Sequence, residues 1–181
     1  MDTTIAVILT TAVSIATVTD LQSQRIPNWL TFPLMLAGLG YHTWMSGLGG
    51  LTSSAQGFGL GLAFMIVPFF AGVMGAGDVK LMAAIGAWLG PNDTTTAFLF
   101  TCLIGGLYAV IILLRHLDKF KAILANIYHN FMVMFASGDI SYSPLPEDKK
   151  LPRLCYGIAI AAGTIITMGM DYLGADLNIF R

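Results

Sequence analysis

The feature that most constrains this chain is a stretch of 52 residues, from Ile26 to Gly77, without a single Asp, Glu, Lys or Arg. Crossing the roughly 30 Å hydrocarbon layer of a bilayer takes about 20 helical residues, so the stretch holds two passes and a turn. Over all 181 residues only 10% are charged, whereas a typical soluble domain has about 25%. The sequence therefore predicts a polytopic membrane protein.

Charged residues and turn residues divide the sequence into apolar segments long enough for about six transmembrane helices, which predicts an all-α protein. The first segment lacks the basic flank of a signal peptide, so we expect it to be a retained span. One integral-membrane domain is predicted over residues 1–181, with its longest loop at about 115–153. The segments cover about residues 3–19, 29–46, 55–74, 78–91, 95–114 and 154–171.

The basic residues predict the orientation. Eight of the nine lie in the loops at about 20–28, 75–80 and 115–153. Because basic loops favour the cytoplasm, both termini are expected outside. In the longest loop, apolar residues recur three and four apart over residues 116–136. This spacing predicts an amphipathic helix, which either lies in the cytoplasmic interface or forms a short buried seventh helix.

Several functions are disfavoured by composition. The net charge of −1 argues against nucleic acid as a partner, which normally needs a basic protein face. Cys102 and Cys155 lie in apolar stretches, and the three histidines are scattered over different segments. No metal-ligand spacing results, so we predict no metal and no cofactor, and we expect the cysteines to be small buried side chains.

Two acidic residues stand out. Asp20 ends the first apolar segment, and Asp78 opens the fourth. The apolar part of the fourth segment has only about 11 residues, or about 17 Å of helix, too short to span a bilayer without its flanks. A carboxylate drawn below the membrane surface is a candidate functional group. The alternative is an interfacial aspartate that only caps a helix.

The predicted orientation places Asp20 and Asp78 at the same membrane face, where they can converge if the first and fourth helices pack. Two adjacent carboxylates cannot both ionise cheaply, so such a pair shares a proton. One group can then act as general base toward water and the other as general acid toward a carbonyl oxygen. This is the arrangement found in aspartic peptidases.

Two motifs carry a resemblance to a known family. The first reads Asp20-Leu-Gln-Ser-Gln-Arg-Ile-Pro-Asn-Trp-Leu-Thr31 and resembles the first aspartate motif of type IV prepilin peptidases. The second reads Gly75-Ala-Gly-Asp-Val-Lys80 and is similar to the GxGD motif of that family, with a lysine two residues after the aspartate. The layout of six segments fits as well, so the resemblance covers nearly the whole chain.

The resemblance implies an intramembrane aspartic endopeptidase that removes the short basic leader from prepilins at the cytoplasmic face of the bacterial inner membrane. Asp20 and Asp78 match the catalytic aspartates of the family. Gly75, Gly77 and Lys80 match the supporting motif, although Lys80 fits equally well as a positive-inside anchor. The implied partners are prepilins and the lipid bilayer, and no cofactor is implied.

The chain departs from the larger, bifunctional members of the family. Those members carry an N-terminal cytoplasmic insertion with paired CxxC motifs, linked with methylation of the new N-terminus. The stretch Asp20–Asn28 is too short for this insertion and has no cysteine. The chain therefore resembles the small, peptidase-only branch typical of tight-adherence (Flp) pilus systems, and no methyltransferase activity is expected. Cys155 stands where that branch is expected to have proline.

Two other classes remain as alternatives. A small proton-coupled carrier would also use membrane carboxylates, but carriers usually contain matching internal repeats. The two halves of this sequence show no such match, because Asp20 and Asp78 lie at different ends of their segments. A non-catalytic subunit of a pilus or secretion assembly would explain the fold. It would not explain two isolated carboxylates beside permissive glycines.

Overall fold

A computed structural model describes residues 2–70, 74–115, 117–118 and 155–174. Within these ranges all regular elements are α-helices, which confirms the predicted all-α class. We number the four long helices in chain order. Helix α1 covers Thr3–Ser23, α2 covers Asn28–Phe70, α3 covers Ala76–Arg115, and α4 covers Tyr156–Tyr172.

Helices α1, α2 and α3 are long and apolar enough to cross a membrane. Two of them, α2 with 43 residues and α3 with 40 residues, are about twice the length of a single pass. Each contains one non-helical residue, Gly47 with φ 60° and Gly90 with φ 77°. Glycine adopts positive φ at no steric cost, so each long helix consists of two arms that meet at a glycine kink. With α1 and α4, the four arms make six helical segments.

The end of the first helix differs from the sequence prediction. Helix α1 does not end at Asp20 but continues for another turn to Ser23. It is closed by Gln24, which has the left-handed conformation with φ 50° and donates its backbone N–H to the Asp20 carbonyl oxygen at 2.8 Å. Helix α3 likewise begins at Ala76, two residues before Asp78. Both aspartates therefore lie inside terminal helical turns.

Glycines allow the second arm of α2 to pack directly on the first arm of α3. Gly57 and Gly86 face each other so closely that a Cβ on either would overlap the carbonyl oxygen of the other. A Cβ at Gly61 would lie 2.5 Å from the carbonyl oxygen of Met82. Close backbone approach through small residues is the usual basis of helix association in a bilayer. This packing fixes the position of the first arm of α3, which carries Asp78.

The kink in α3 leaves carbonyl groups without their helical partners, and side chains from α2 bond to them. Pro91 has no N–H, so the Ala87 carbonyl oxygen lacks its ordinary helical donor. Ser54 donates its hydroxyl to that oxygen. One residue later, the Trp88 carbonyl oxygen lies 2.9 Å from Nε2 of His42. Both arms of α2 thus hydrogen-bond to the kink and hold α3 in register.

The chain forms two compact units. The first combines Met1–Gly105 with Cys155–Arg181, and the second is Gly106–Leu154. The aspartates and both motifs belong to the first unit. The amphipathic helix predicted over residues 116–136 falls, apart from residues 117 and 118, outside the described residues.

Candidate active site

Asp20 is buried, with only 6% of its surface exposed. Its Oδ2 atom accepts a hydrogen bond from the backbone N–H of Gly157 at 3.0 Å. Gly157 is the second residue of α4, which packs against α1. The carboxylate therefore lies at a helix N-terminus, where free N–H groups and the helix dipole favour negative charge.

Asp78 is the third residue of α3 and is also buried, with 7% exposed. Its Oδ2 atom accepts the backbone N–H of Gly75 at 2.9 Å, and its own N–H donates to the Gly75 carbonyl oxygen at 3.2 Å. The bond from Gly75 to Asp78 corresponds to one half of a capping box, in which an acidic side chain in the first helical turn accepts the N–H of the residue before the helix. The Oδ1 atom is buried and has no hydrogen-bond partner among the described residues. Asp78 thus uses one carboxylate oxygen to cap α3, and its other oxygen makes no hydrogen bond within the described residues.

The structure brings the two aspartates together. They come from the last turn of α1 and the first turn of α3, and their carboxyl groups are close enough to interact electrostatically. One carboxylate is held by a backbone N–H of α4 and the other by a backbone N–H of its own helix. The two buried carboxyl groups thus lie within electrostatic range of each other, and Asp78 Oδ1 makes no hydrogen bond within the described residues.

The two glycines of the second motif differ in their surroundings. A Cβ at Gly77 would lie 3.0 Å from the Cβ of Ile26, and 3.2 Å and 3.3 Å from its backbone nitrogen and oxygen. A Cβ at Gly75 would meet nothing closer than Asp78 Oδ2 at 3.6 Å, an ordinary contact. Gly77 is therefore the point where α3 touches the link between α1 and α2, whereas Gly75 contributes its backbone N–H.

This difference predicts unequal effects of the same substitution. We expect Gly77→Ala to destabilise the protein by about 1–3 kcal/mol, because overpacking against Ile26 forces a backbone shift. Gly75→Ala should leave stability nearly unchanged, since its methyl group fits. Thermal unfolding of the purified variants in the same detergent provides the measurement. Equal losses for the two variants would contradict the assignment of Gly77 as the contact glycine.

Lys80, the remaining motif residue, is partly buried and points to α2. Its ammonium group donates a hydrogen bond to Oδ1 of Asn28 at 3.0 Å. The same group lies 5.2 Å from the centre of the Phe32 ring, within the range of a cation–π contact. Lys80 thus connects the second motif to the Ile-Pro-Asn part of the first motif.

Gly157 is a site residue that the sequence analysis did not identify. A Cβ at this position would lie 2.9 Å from Asp20 Oδ2, so only glycine lets α4 approach the carboxylate this closely. The thiol of the neighbouring Cys155 lies 3.9 Å from the Asp20 carbonyl oxygen. The prediction that both cysteines are buried is wrong, because Cys155 is only partly buried and Cys102 is exposed. In a membrane protein an apolar stretch does not distinguish a buried helix face from a face turned to lipid. Gly157 is 137 residues away from Asp20 along the chain, and nothing local in its sequence marks this contact.

An open cleft of about 430 Å³ lies beside the end of α1 that carries Asp20. Its lining combines hydroxyl groups, one guanidinium group, an amide and an indole ring. In the ranges that the structure describes, no three His, Cys, Asp or Glu side chains are grouped as metal ligands. The cleft is lined by Thr19, Ser23, Arg25, Ile26, Pro27, Asn28 and Trp29.

The fold and the site together define an integral membrane protein with a buried aspartate pair. The model of the type IV leader peptidase family matches residues 7–110, which include both aspartate motifs. The chain belongs to this family of prepilin-processing proteases.

Curated relatives agree with this membership. Over 130 residues the chain is 34% identical to the prepilin leader peptidase/N-methyltransferase of Aeromonas salmonicida, covering 66% of this chain and 44% of that protein. Over 145 residues it is 34% identical to the protein of the same name from Bacillus subtilis (strain 168), covering 72% of this chain and 58% of the relative. The chain thus spans about half the length of the curated relatives it matches. No solved structure matches it.

Proposed function

We propose that this chain is an aspartic endopeptidase that cleaves the leader peptide from prepilins of type IV or Flp pili. The observation that carries the proposal is the buried pair of Asp20 and Asp78, in which one carboxylate oxygen lacks a hydrogen-bond partner in the described part of the chain. Membership of the leader peptidase family supplies the class of substrate. Neither observation alone would give both the chemistry and the substrate.

In the proposed mechanism the two aspartates share one proton. The ionised carboxylate takes a proton from a water molecule while the water oxygen attacks the scissile carbonyl carbon. The protonated carboxyl group donates its proton to the carbonyl oxygen, giving a neutral tetrahedral diol. Return of a proton from the diol and protonation of the amide nitrogen break the C–N bond. The pair then again holds one proton and is ready for the next cycle.

The hydrogen bonds of the site fit these roles. Asp20 Oδ2 is fixed by the N–H of Gly157, and Asp78 Oδ2 by the N–H of Gly75. Fixed carboxylates need little reorganisation as charge moves in the transition state. Asp78 Oδ1 is the oxygen without such a bond among the described residues, so we assign it to contact with the water or the shared proton.

We further propose that the substrate enters from the cytoplasm along the cleft beside Asp20. The positive-inside distribution of basic residues supports this orientation in a bacterial inner membrane. Three residues of the link between α1 and α2, Arg25, Ile26 and Pro27, line the cleft, and their non-helical backbone can pair with an extended peptide. Peptide recognition through backbone pairing gives affinity with little demand on side chains.

We also propose peptidase activity without methyl transfer. The matched relatives bear a double name, prepilin leader peptidase/N-methyltransferase. In this chain the stretch Asp20–Asn28 is too short for the insertion with paired CxxC motifs. The only cysteines of the sequence are Cys102 and Cys155, so it contains no CxxC motif. The small, peptidase-only branch of Flp pilus systems is the part of the family that this pattern resembles.

Sealed membrane vesicles test the activity and its orientation in one experiment. A synthetic prepilin peptide with its basic leader is added to inverted and to right-side-out vesicles that contain the protein, in excess EDTA and without a methyl donor. We expect cleavage only by inverted vesicles. In a second reaction S-adenosylmethionine is added as methyl donor, and mass spectrometry should still detect an unmethylated product. Vesicles without the protein serve as the control.

Each other result removes a specific part of the proposal. Cleavage confined to right-side-out vesicles would reverse the orientation. Activity lost in EDTA and restored by zinc would contradict water activation by carboxylates alone. A methylated product would show a bifunctional enzyme. Failure to cleave in either orientation, with protein present in both, would favour the non-catalytic assembly subunit.

A further inference from the structure

The link between α1 and α2, residues 24–27, and the first residue of α2 contact α3 at two points. At the first, the backbone of Ile26 packs on Gly77, where a Cβ would come within 3.2 Å of the Ile26 nitrogen. At the second, Lys80 donates a hydrogen bond to the side chain of Asn28. Gly77 and Lys80 are three residues apart and therefore lie on the same face of α3. Two successive turns of α3 thus contact one short segment.

The contacts of Lys80 are specific to α2. Its ammonium group is 3.0 Å from Asn28 Oδ1 and 5.2 Å from the centre of the Phe32 ring. Asn28 and Phe32 are four residues apart, so they lie one above the other on the first turn of the helix. A lysine that only anchors the protein to lipid headgroups would need neither contact. The side chain spans between helices instead.

The segment that Lys80 contacts is connected to Asp20 through the last turn of α1. The left-handed residue Gln24 closes α1 by donating to the Asp20 carbonyl oxygen at 2.8 Å. Asn28 is only eight positions after Asp20 in the sequence, so fixing Asn28 limits how far the end of α1 can move. At the other end, Lys80 follows Asp78 by two residues in the first turns of α3. One side chain therefore restrains the carriers of both carboxylates.

We infer that Lys80 is a positioning residue that acts through Asn28 to keep Asp20 facing Asp78. Its role is mechanical, since its hydrogen bond goes to a neutral amide of α2. The kinetic part of this inference rests on the proposed peptidase activity. The structural part, restraint of the α1–α2 link by Lys80, does not.

Hydrogen exchange measured by mass spectrometry tests the structural part in detergent or nanodiscs. Lys80→Met removes the donor and keeps most of the chain length, while Asn28→Ala removes the acceptor. We expect both variants to exchange backbone amides faster over residues 24–32, with residues 94–101 unchanged as proof of folding. Arg115→Met, which removes an exposed basic residue at the end of α3, should exchange like the wild type.

Steady-state kinetics on a prepilin peptide test the positioning role. Misplaced catalytic groups can cost up to about a hundredfold in rate. We therefore expect kcat of Lys80→Met to fall between about tenfold and a hundredfold, with KM within about twofold of wild type. Because both residues act through one contact, the double variant with Asn28→Ala should be no slower than the slower single variant.

The two kinds of failure are distinguishable. Unchanged exchange over residues 24–32 in Lys80→Met would overturn the inference even if the wild type cleaves prepilins. A raised KM with unchanged kcat in Lys80→Met would show that Lys80 binds substrate. If Arg115→Met lost as much rate as Lys80→Met, the effect of Lys80 would be one of net charge and not of positioning. Faster exchange in a protein without peptidase activity would support the restraint while rejecting the proposed function.

Discussion

Replacement of either buried aspartate by asparagine should abolish removal of a prepilin leader. We expect Asp20→Asn and Asp78→Asn each to lower the rate by at least about a thousandfold, within the range attributed to general acid–base groups. Asparagine retains the shape and an acceptor oxygen but cannot ionise or share a proton. Co-expression with a pilin precursor, followed by immunoblotting for the shift in size, gives the first measurement. Rates of the purified variants give the magnitude.

Asp118→Asn is the matched control, because Asp118 is exposed and should not affect processing. The double variant of Asp20 and Asp78 should be no worse than either single variant, since residues that act as a unit are not additive. Full processing by Asp78→Asn would remove the peptidase assignment. Full processing by Asp20→Asn alone would show that Asp78 has a different partner. Normal processing by all three single variants would favour a non-catalytic subunit.

Gly157→Ala should lower the cleavage rate by up to about a hundredfold without unfolding the protein. The added methyl group would lie 2.9 Å from Asp20 Oδ2 and displace the carboxylate from the N–H of Gly157. A displacement of this kind can cost up to about a hundredfold in rate. At the same time, alanine in place of glycine raises helix propensity by up to about 1 kcal/mol, so α4 itself should not be weakened. The measurement pairs the cleavage rate with thermal unfolding.

Gly169→Ala is the control in the same helix, because a Cβ at Gly169 would meet nothing within 4 Å. It should gain the same helix propensity and retain full activity. If Gly157→Ala cleaved at the wild-type rate, the bond between Asp20 and α4 would have no part in catalysis. A large loss in both variants would point to a general requirement for glycine in α4 and not to the contact with Asp20.

The kinks and the helix ends show where sequence reasoning on its own was insufficient. Turn residues predicted loops between the second and third apolar segments and between the fourth and fifth. In the structure each of these places has a single non-helical residue, Gly47 or Gly90, and the helix continues on both sides of it. Hydropathy likewise suggested that α1 ends at Asp20. The helix continues to Ser23 because its end is set by the left-handed conformation of Gln24, which hydropathy does not report.

The sequence by itself determined the membrane class and identified both aspartates as candidate functional groups. A charge-free stretch from Ile26 to Gly77 is typical of a chain surrounded by the hydrocarbon of a bilayer. A carboxylate at the edge of an apolar segment can be recognised without knowledge of the fold. Only the tertiary structure decided what holds those aspartates. The N–H of Gly157 reaches Asp20 across 137 residues, and Lys80 reaches Asn28 across 52. Such contacts depend on which helix faces pack together, and local sequence does not encode the position of a distant helix end.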